Sequence, residues 1–413
     1  MKYISLFLTG LFLFASCTAN RHVKVTVSNN TPNERNEEII EISLKEISAR
    51  LQLADSSHFI ILDKDKKEIP YQITYDRKVI FPVSVGANSK HSFTIRKGKP
   101  QAYQSYVFGK QYPERLDDMA WENDKAAYRL YGPALQQAGQ RMYGYDIWTK
   151  STDRLIVDER YAKELDKETR KRIEELKKTD KKAADQLYKS ISYHIDHGDG
   201  MDCYTVGPTL GGGTAALLDE DSQIIYPYCY KEARILDNGP LRFTVALTYH
   251  PFVFGKDSAI VEHRLISLDK GSHLNKTVVL YENLTRQTKI VTGIVIHPSN
   301  KSHYYDNAHG IIAYEDYTDN PKNNNGSIFI GAVIPQNTED IYICPFSPEE
   351  SKKLRGGAFG HILVKSNYTP DMKYTYYWGS GWSKADIQSM DNWTEYLHSF
   401  AFNLKYPLQI KVE

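Results

Sequence analysis

The densest chemistry in the chain lies at residues 192–213, "SYHIDHGDGMDCYTVGPTLGGG". His194 and His197 are of the residue type that can exchange a proton under physiological conditions, and Asp199 and Asp202 lie close by to fix their tautomers, the composition of a general acid–base loop. Gly198 and Gly200 would let its backbone turn sharply and approach a ligand. We expect a catalytic loop of His194, His197, Asp199 and Asp202, with Tyr204 touching the substrate. The same stretch also offers ligands for a divalent cation in Asp196, His197, Asp199 and Asp202. Their spacing does not match a calcium-binding EF loop. No cofactor is expected, and a divalent metal is the alternative that the residue types leave open. "GPTLGGG" lacks the Lys-Ser/Thr of a phosphate-binding loop and reads as a turn.

Two further clusters carry binding chemistry. In "DDMAWENDKAAYRLYGPAL", residues 117–135, an aromatic face at Trp121 is followed by Glu122, Asn123 and Asp124 and then Arg129. Aromatic, carboxylate, amide and guanidinium groups together suit a sugar or uronic acid, whose carboxylate an arginine can hold bidentately. The plainer reading is a strand start with Asn–Asp making the turn. In "YYWGSGWSKADIQSMDNW", residues 376–393, Trp378 and Trp382 flank two glycines and would form either a sugar platform or core. His263, His297 and Arg242 lie in strand-like runs, where each alone reads as structural. A single site requires the histidine loop and the "WEND" segment to meet in space.

The elements that must position these residues are mostly strands. "HVKVTVSN", "EEIIEISL", "HFIILDKD", "IPYQITYD", "KVIFPVSV" and "HSFTIRKG" are short alternating runs, giving a small β domain over 22–98. Similar runs continue from about 104 to the C-terminus at 413, among them "ARILDNGPLRFTVALTY", "AIVEHRLISLD", "TKIVTGIVIH" and the closing "PLQIKVE". No strand–helix alternation appears, so the expectation is an all-β fold with a large antiparallel sandwich. One charged segment, about 155–190, breaks the pattern and reads as one or two surface helices. Tyr161, Leu165, Ile173, Leu176, Leu187, Tyr188 and Ile191 form its thin apolar stripe, and Thr179–Asp180 is a break or cap.

The formal net charge is +1 with no basic stripe or tail, which argues against nucleic acid as a partner. Lys2 and the apolar run Ile4–Ala15 form an export signal too short to span a bilayer comfortably. "LFASC" resembles a bacterial lipoprotein box, which implies that residues 1–17 form the signal and that Cys17 carries the lipid. The mature chain is then a cell-envelope lipoprotein tethered to the membrane. "TANRHVKV" after Cys17 has no acidic run, which favours the periplasmic side. Cys203, Cys229 and Cys344 are too few for a disulfide framework, and with no CxxC pair structural zinc is not expected.

Four motifs, "WENDKAAYRLYGPAL", "YHIDHGDGMDCYTVGPTLGGG", "RILDNGPLRFTVAL" and "YYWGSGWSKAD", resemble in that order a family of bacterial secreted proteins catalogued as a domain of unknown function. The resemblance spans nearly all of the mature chain except the charged insertion. It implies polysaccharide degradation and kinship with an ulvan oligosaccharide dehydratase, which removes water from a terminal uronic acid to leave a 4,5-unsaturated sugar. It also implies a β-supersandwich of the galactose-mutarotase type for the large domain. Taking the C5 proton of a uronate requires its carboxylate to be neutralised, by Arg129, Asn123 or a protonated histidine. A base, His194, His197 or a tyrosine, then takes the proton while an acid protonates the leaving hydroxyl. The expected partner is an oligosaccharide containing uronic acid. The rival functions are a glycoside hydrolase pairing Glu122 or Asp124 with Asp199 or Asp202, a non-catalytic glycan-binding lipoprotein, and an aldose epimerase.

Overall fold

A computed structural model describes residues 22–53, 58–318, 321–335 and 338–413. Cys17 and the export segment lie outside the described residues. The fold is an all-β sandwich with few helices, and every pair of named strands is antiparallel.

The N-terminal unit stacks two sheets. One has the order Gln409–Val412, His22–Asn29, Ser89–Lys97, Phe59–Leu62, Glu68–Ile69. The other has Arg35–Ser43, Lys78–Val85, Gln72–Ile73. Alternation does the work: Val23, Val25 and Val27 point inward from one strand to meet Phe81, Phe93 and Ile95, while the residues between them face outward. The final strand corrects the expected boundary at 104–413. Val412 pairs with Val25, so the last residues belong to the N-terminal sheet and not to the large unit.

The large unit faces two sheets across one core. The larger runs Tyr230–Asn238, Arg242–Tyr249, Asp257–Asp269, Leu274–Glu282, Tyr374–Trp382, Ile328–Val333, Ile311–Asp316, His303–Asp306. The smaller runs Ile224–Ile225, Gly212–Leu218, Thr288–Ile296, Gly360–Tyr368, Thr338–Pro345. Along Asp257–Asp269 buried residues recur at every second position, as a strand with one inward face requires. A four-stranded sheet, Asp146–Trp148, Ala127–Leu130, Asp118–Asn123, Val107–Tyr112, lies beside this core and carries Arg129.

The insertion is three helices: Val157–Glu164, Lys167–Thr179 and Lys181–Ile191. Asp166 and Asp180 cap the second and third by accepting the amides of Thr169 and Ala183. The expected break at Thr179–Asp180 is therefore real. A further helix, Met390–Lys405, covers the outer face of the large sheet with Trp393 and Leu397. Gly331 permits that contact, since a Cβ there would lie 2.7 Å from Leu397. No helix among the described residues is long and apolar enough to cross a membrane.

Candidate functional site

The loop after the insertion runs beside the four-stranded sheet. Trp148 bridges to Asp202, and the Thr149 amide donates to the Met201 carbonyl at 2.8 Å. That pairing delivers Asp202 to Arg129, whose Nη2 donates to its Oδ2 at 2.9 Å. The same Nη2 contacts the Asp146 carboxylate and the Tyr131 hydroxyl, the latter at 3.0 Å. Asp118 stands 3.9 Å from Nη1. Three buried carboxylates thus surround one buried guanidinium. Burial pushes Asp118 up to about 6 and Asp146 up to about 7, against the pull of Arg129.

His194 sits on the solvent side of this group, with its side chain 45% exposed. Its Nδ1 lies 3.1 Å from the Asp202 carbonyl oxygen and 3.6 Å from the Asp202 carboxylate. The first half of the expected constellation is therefore present: His194 and Arg129 share Asp202.

On the other flank stands a histidine–aspartate pair that sequence reading had treated as structural. His297 follows strand Thr288–Ile296, and its Nδ1 lies 2.6 Å from Asp316 Oδ2 at the end of strand Ile311–Asp316. Asp316 is buried and His297 is 16% exposed, so the carboxylate orients the ring and leaves Nε2 directed away from it. The Tyr204 ring meets the His297 ring edge-on at 6.0 Å. The Tyr204 hydroxyl is buried and has no hydrogen-bond partner. Burial pushes its ionisation well above the usual tyrosine range, with Asp316, Tyr314 and Asp146 adding to the rise. Tyr204 therefore lies under the influence of both the His297 pair and the Arg129 group.

Several sequence-derived candidates lie elsewhere. His197 Nε2 is 3.0 Å from the carbonyl of Ser192 at the end of helix Lys181–Ile191, so it caps that helix rather than facing Arg129. Asp199 pairs with Arg160 of the insertion at 2.9 Å, and Asp196 accepts the amides of Gly198 and Gly200. The glycines serve packing and turning: both have positive φ, and a Cβ on Gly200 would fall 2.1 Å from the Thr149 carbonyl oxygen. Because Asp196, His197, Asp199 and Asp202 are each spent on different partners, the four do not form a metal site. Among the described residues, Asp306, His309 and His398 do bring their ligand atoms within 4.8 Å of one another, on strand His303–Asp306, the turn after it and helix Met390–Lys405.

The "WEND" and tryptophan motifs are core. Trp121 is fully buried, stacks near Phe243 and donates to Asn275 at 2.8 Å. Trp378 stacks on Tyr145 at 3.9 Å, and the Trp382 indole donates to the Asn325 carbonyl. None of these rings can receive a sugar. Glu122 is fully buried, bonded to Lys150 Nζ at 2.6 Å and to the amides of Ile156 and Val157 that start the first insertion helix. Asn123 donates to the Asp269 and Ser272 carbonyls, and Asp124 accepts the Gly271 amide. These residues fix the hairpin and its neighbours, which corrects their expected role in substrate binding. Arg129 meets the loop as expected, but its charge is spent on aspartates rather than free for a uronate.

Sequence reading missed Asp118, Asp146 and Tyr131, which pair only through the sheet register, and it undervalued His297. The signal available for His297 was Asp316 at the close of the next long strand run. His361 was also missed. It is buried, accepts the Leu210 amide at 3.1 Å, and is held neutral because burial pushes it down to about 3.

The model of the family described as "Domain of unknown function (DUF4861)" matches residues 27–410. A protein of Formosa agariphila carrying the name "Uncharacterized protein P7" is 26% identical over the full length of both chains. Among solved structures, an alpha-mannosidase from Enterococcus faecalis V583 is similar at a TM-score of 0.42 and 8% identity, over 95% of this chain and 46% of that one. A protein in glycosyl hydrolase family 38 from Enterococcus faecalis gives 0.45 and 7%, over 96% and 48%. The chain spans about half the length of these two structures.

Proposed function

The chain belongs to the DUF4861 family, and from that premise we propose that it is a carbohydrate-active enzyme that removes water from a terminal uronic acid of an oligosaccharide. The observation that carries this reading is the His297–Asp316 pair beside the unpartnered hydroxyl of Tyr204. His297, oriented by Asp316, takes the C5 proton on Nε2. The electron pair of that C–H bond forms the C4–C5 double bond, the C4–O bond breaks, and the hydroxyl leaves as water with the Tyr204 proton. Tyr204 is assigned the acid because its hydroxyl carries a proton and has no other hydrogen-bond partner to hold it. Arg129 is committed to its carboxylates, so the residue proposed to meet the uronate carboxylate is His194, on the solvent side of that group.

Two rival readings draw less support from the geometry. A glycoside hydrolase using Glu122 would need a carboxylate that is instead saturated by Lys150 and two amides. A binding module would need the tryptophan faces that the core occupies. Incubating the protein with oligosaccharides ending in uronic acid and recording ultraviolet absorbance and product mass tests the proposal. It predicts new absorbance and a product one water lighter than its parent. Products that have gained water, or none at all, overturn it. We further propose that the protein is lipidated at Cys17 and works on the periplasmic side of the cell envelope, a reading supported by the "LFASC" segment. Cys17→Ala should then move the protein from the membrane fraction to the soluble fraction, and unchanged membrane association would refute the tether.

A further inference from the structure

We propose that the sandwich carries a second saccharide site, for one uncharged sugar ring, at the end opposite His297. His297 follows the C-terminal end of strand Thr288–Ile296, whereas Leu217, in the wall of the second site, pairs with Ile290 near the start of that strand. The cavity there is about 190 Å³. That is room for roughly six waters at ~30 Å³ each, or for one monosaccharide.

The wall is built by sheet register. Glu262 is paired directly with Tyr281 across the ladder. Thr248 is paired with His263, which sets Tyr249 beside Glu262 on the other flank. Tyr249, Glu262 and Tyr281 thus form a row across three strands on the inward face, and all three line the cavity. Leu217, Pro227 and Phe252 supply apolar surface opposite, and Tyr228 and His250 stand at the rim. Flat apolar walls with a carboxylate and phenols at the edge are what a sugar ring requires, since it presents an apolar face and a polar perimeter.

Packing alone does not account for this row. Ile260, Ile266 and Leu268 occupy the same inward face of strand Asp257–Asp269, so aliphatic residues suit the neighbouring positions. At Glu262 and Arg264 the strand instead buries an ion pair, which is seldom more stabilising than apolar packing of similar volume. Arg264 donates to Glu262, to the Tyr145 hydroxyl at 2.9 Å and to the Ala215 carbonyl at 3.0 Å, one bond from each guanidinium nitrogen. Its bond to Glu262 uses only Oε1. The Tyr249 hydroxyl, on a side chain 4% exposed, has no hydrogen-bond partner. An unmet buried hydroxyl costs stability unless something in the cavity satisfies it.

Charge sets the ligand class. No lysine or arginine lines the cavity, and the one carboxylate is already balanced by Arg264. The nearest cations stand behind the wall and are already engaged: Arg141, over the Tyr228 ring, donates to the Gln136 and Gln140 carbonyls, and Arg355, over the Tyr226 ring, pairs with Glu350, so the ligand class that fits is neutral. Cys229 also lines the wall, but burial pushes its thiol up to about 11, which leaves it un-ionised and argues for binding rather than covalent chemistry.

The test uses the mature full-length protein, titrated by calorimetry and saturation-transfer NMR with glucose, galactose, mannose, xylose and rhamnose, and with glucuronate as the charged comparator. At least one neutral sugar should bind. Tyr249→Phe keeps the ring and removes only the hydroxyl, and should weaken that binding about tenfold without lowering the melting temperature of the ligand-free protein. His297→Ala should leave it intact, which separates this site from the proposed reaction centre. Failure of every neutral sugar to bind, equal affinity in Tyr249→Phe, or glucuronate binding that Tyr249→Phe abolishes would each overturn the proposal. Because it does not rest on the dehydratase reading, failure of that reaction leaves it standing.

Discussion

Asp118→Asn should make the fold more resistant to rising pH. The Asp118 side chain is fully buried, with one oxygen accepting the Tyr161 hydroxyl at 3.2 Å and the other without a partner. Burial pushes its carboxyl from 3.8 up to about 6, despite Arg129 and Arg115. In the unfolded chain the group titrates at its ordinary value. Between about pH 4 and pH 6 the folded state therefore keeps a proton that the unfolded state has released, and stability falls as pH rises through that window. At ~1.4 kcal/mol per pH unit, a rise from 3.8 to about 6 corresponds to about 3 kcal/mol, fully lost above the folded value. Asparagine has nearly the same shape and no proton to lose. Urea unfolding of both proteins near pH 4 and near pH 8 measures the effect. The variant should gain about 3 kcal/mol on the parent between the two conditions. A difference that does not change with pH, or that changes in the opposite sense, refutes the account of a carboxylate that ionises at a cost.

Lys150→Met should destabilise the protein by about 3–5 kcal/mol, because it leaves the buried Glu122 carboxylate without its cation, and thermal melting reads this directly. His197→Ala should leave turnover within about twofold of the parent, since His197 serves only the Ser192 carbonyl. A loss of ~10²-fold or more would return His197 to the reaction.

The strands were legible where one face is buried and the other wet. "HVKVTVSN" alternates, and His22–Asn29 is a strand throughout. The break at Thr179–Asp180 was legible too, because aspartate at a helix start has a local reason to be there. What could not be read is pairing at a distance. Nothing in "PLQIKVE" says that Val412 will lie beside Val25. Helix Met390–Lys405 was hidden because the aromatic motif at 376–393 runs on into its first turn, where Trp393 repeats the tryptophan pattern.

The site shows the same division. Residue types marked the histidine loop correctly as the partner of Arg129, but not which of its members would face it. His194 and His197 are three positions apart, yet one reaches Asp202 and the other its own helix end. Burial decided the tryptophans: residue type and spacing are the same for a sugar platform and for a core, and here Trp121 and Trp378 are fully enclosed. His297 was undervalued because its partner Asp316 comes from another strand, and one histidine without a visible partner carries no chemistry.

The central claim is that His297, oriented by Asp316 and set beside Tyr204, is the base of an elimination. The most direct measurement compares the parent with His297→Ala on oligosaccharides ending in uronic acid, following new ultraviolet absorbance and the mass of the product. The account predicts a dehydrated product from the parent and a rate lower by ~10²-fold or more in the variant, measured at a temperature where both proteins are folded. Equal rates in the two proteins, or a parent that yields no dehydrated product, would contradict it.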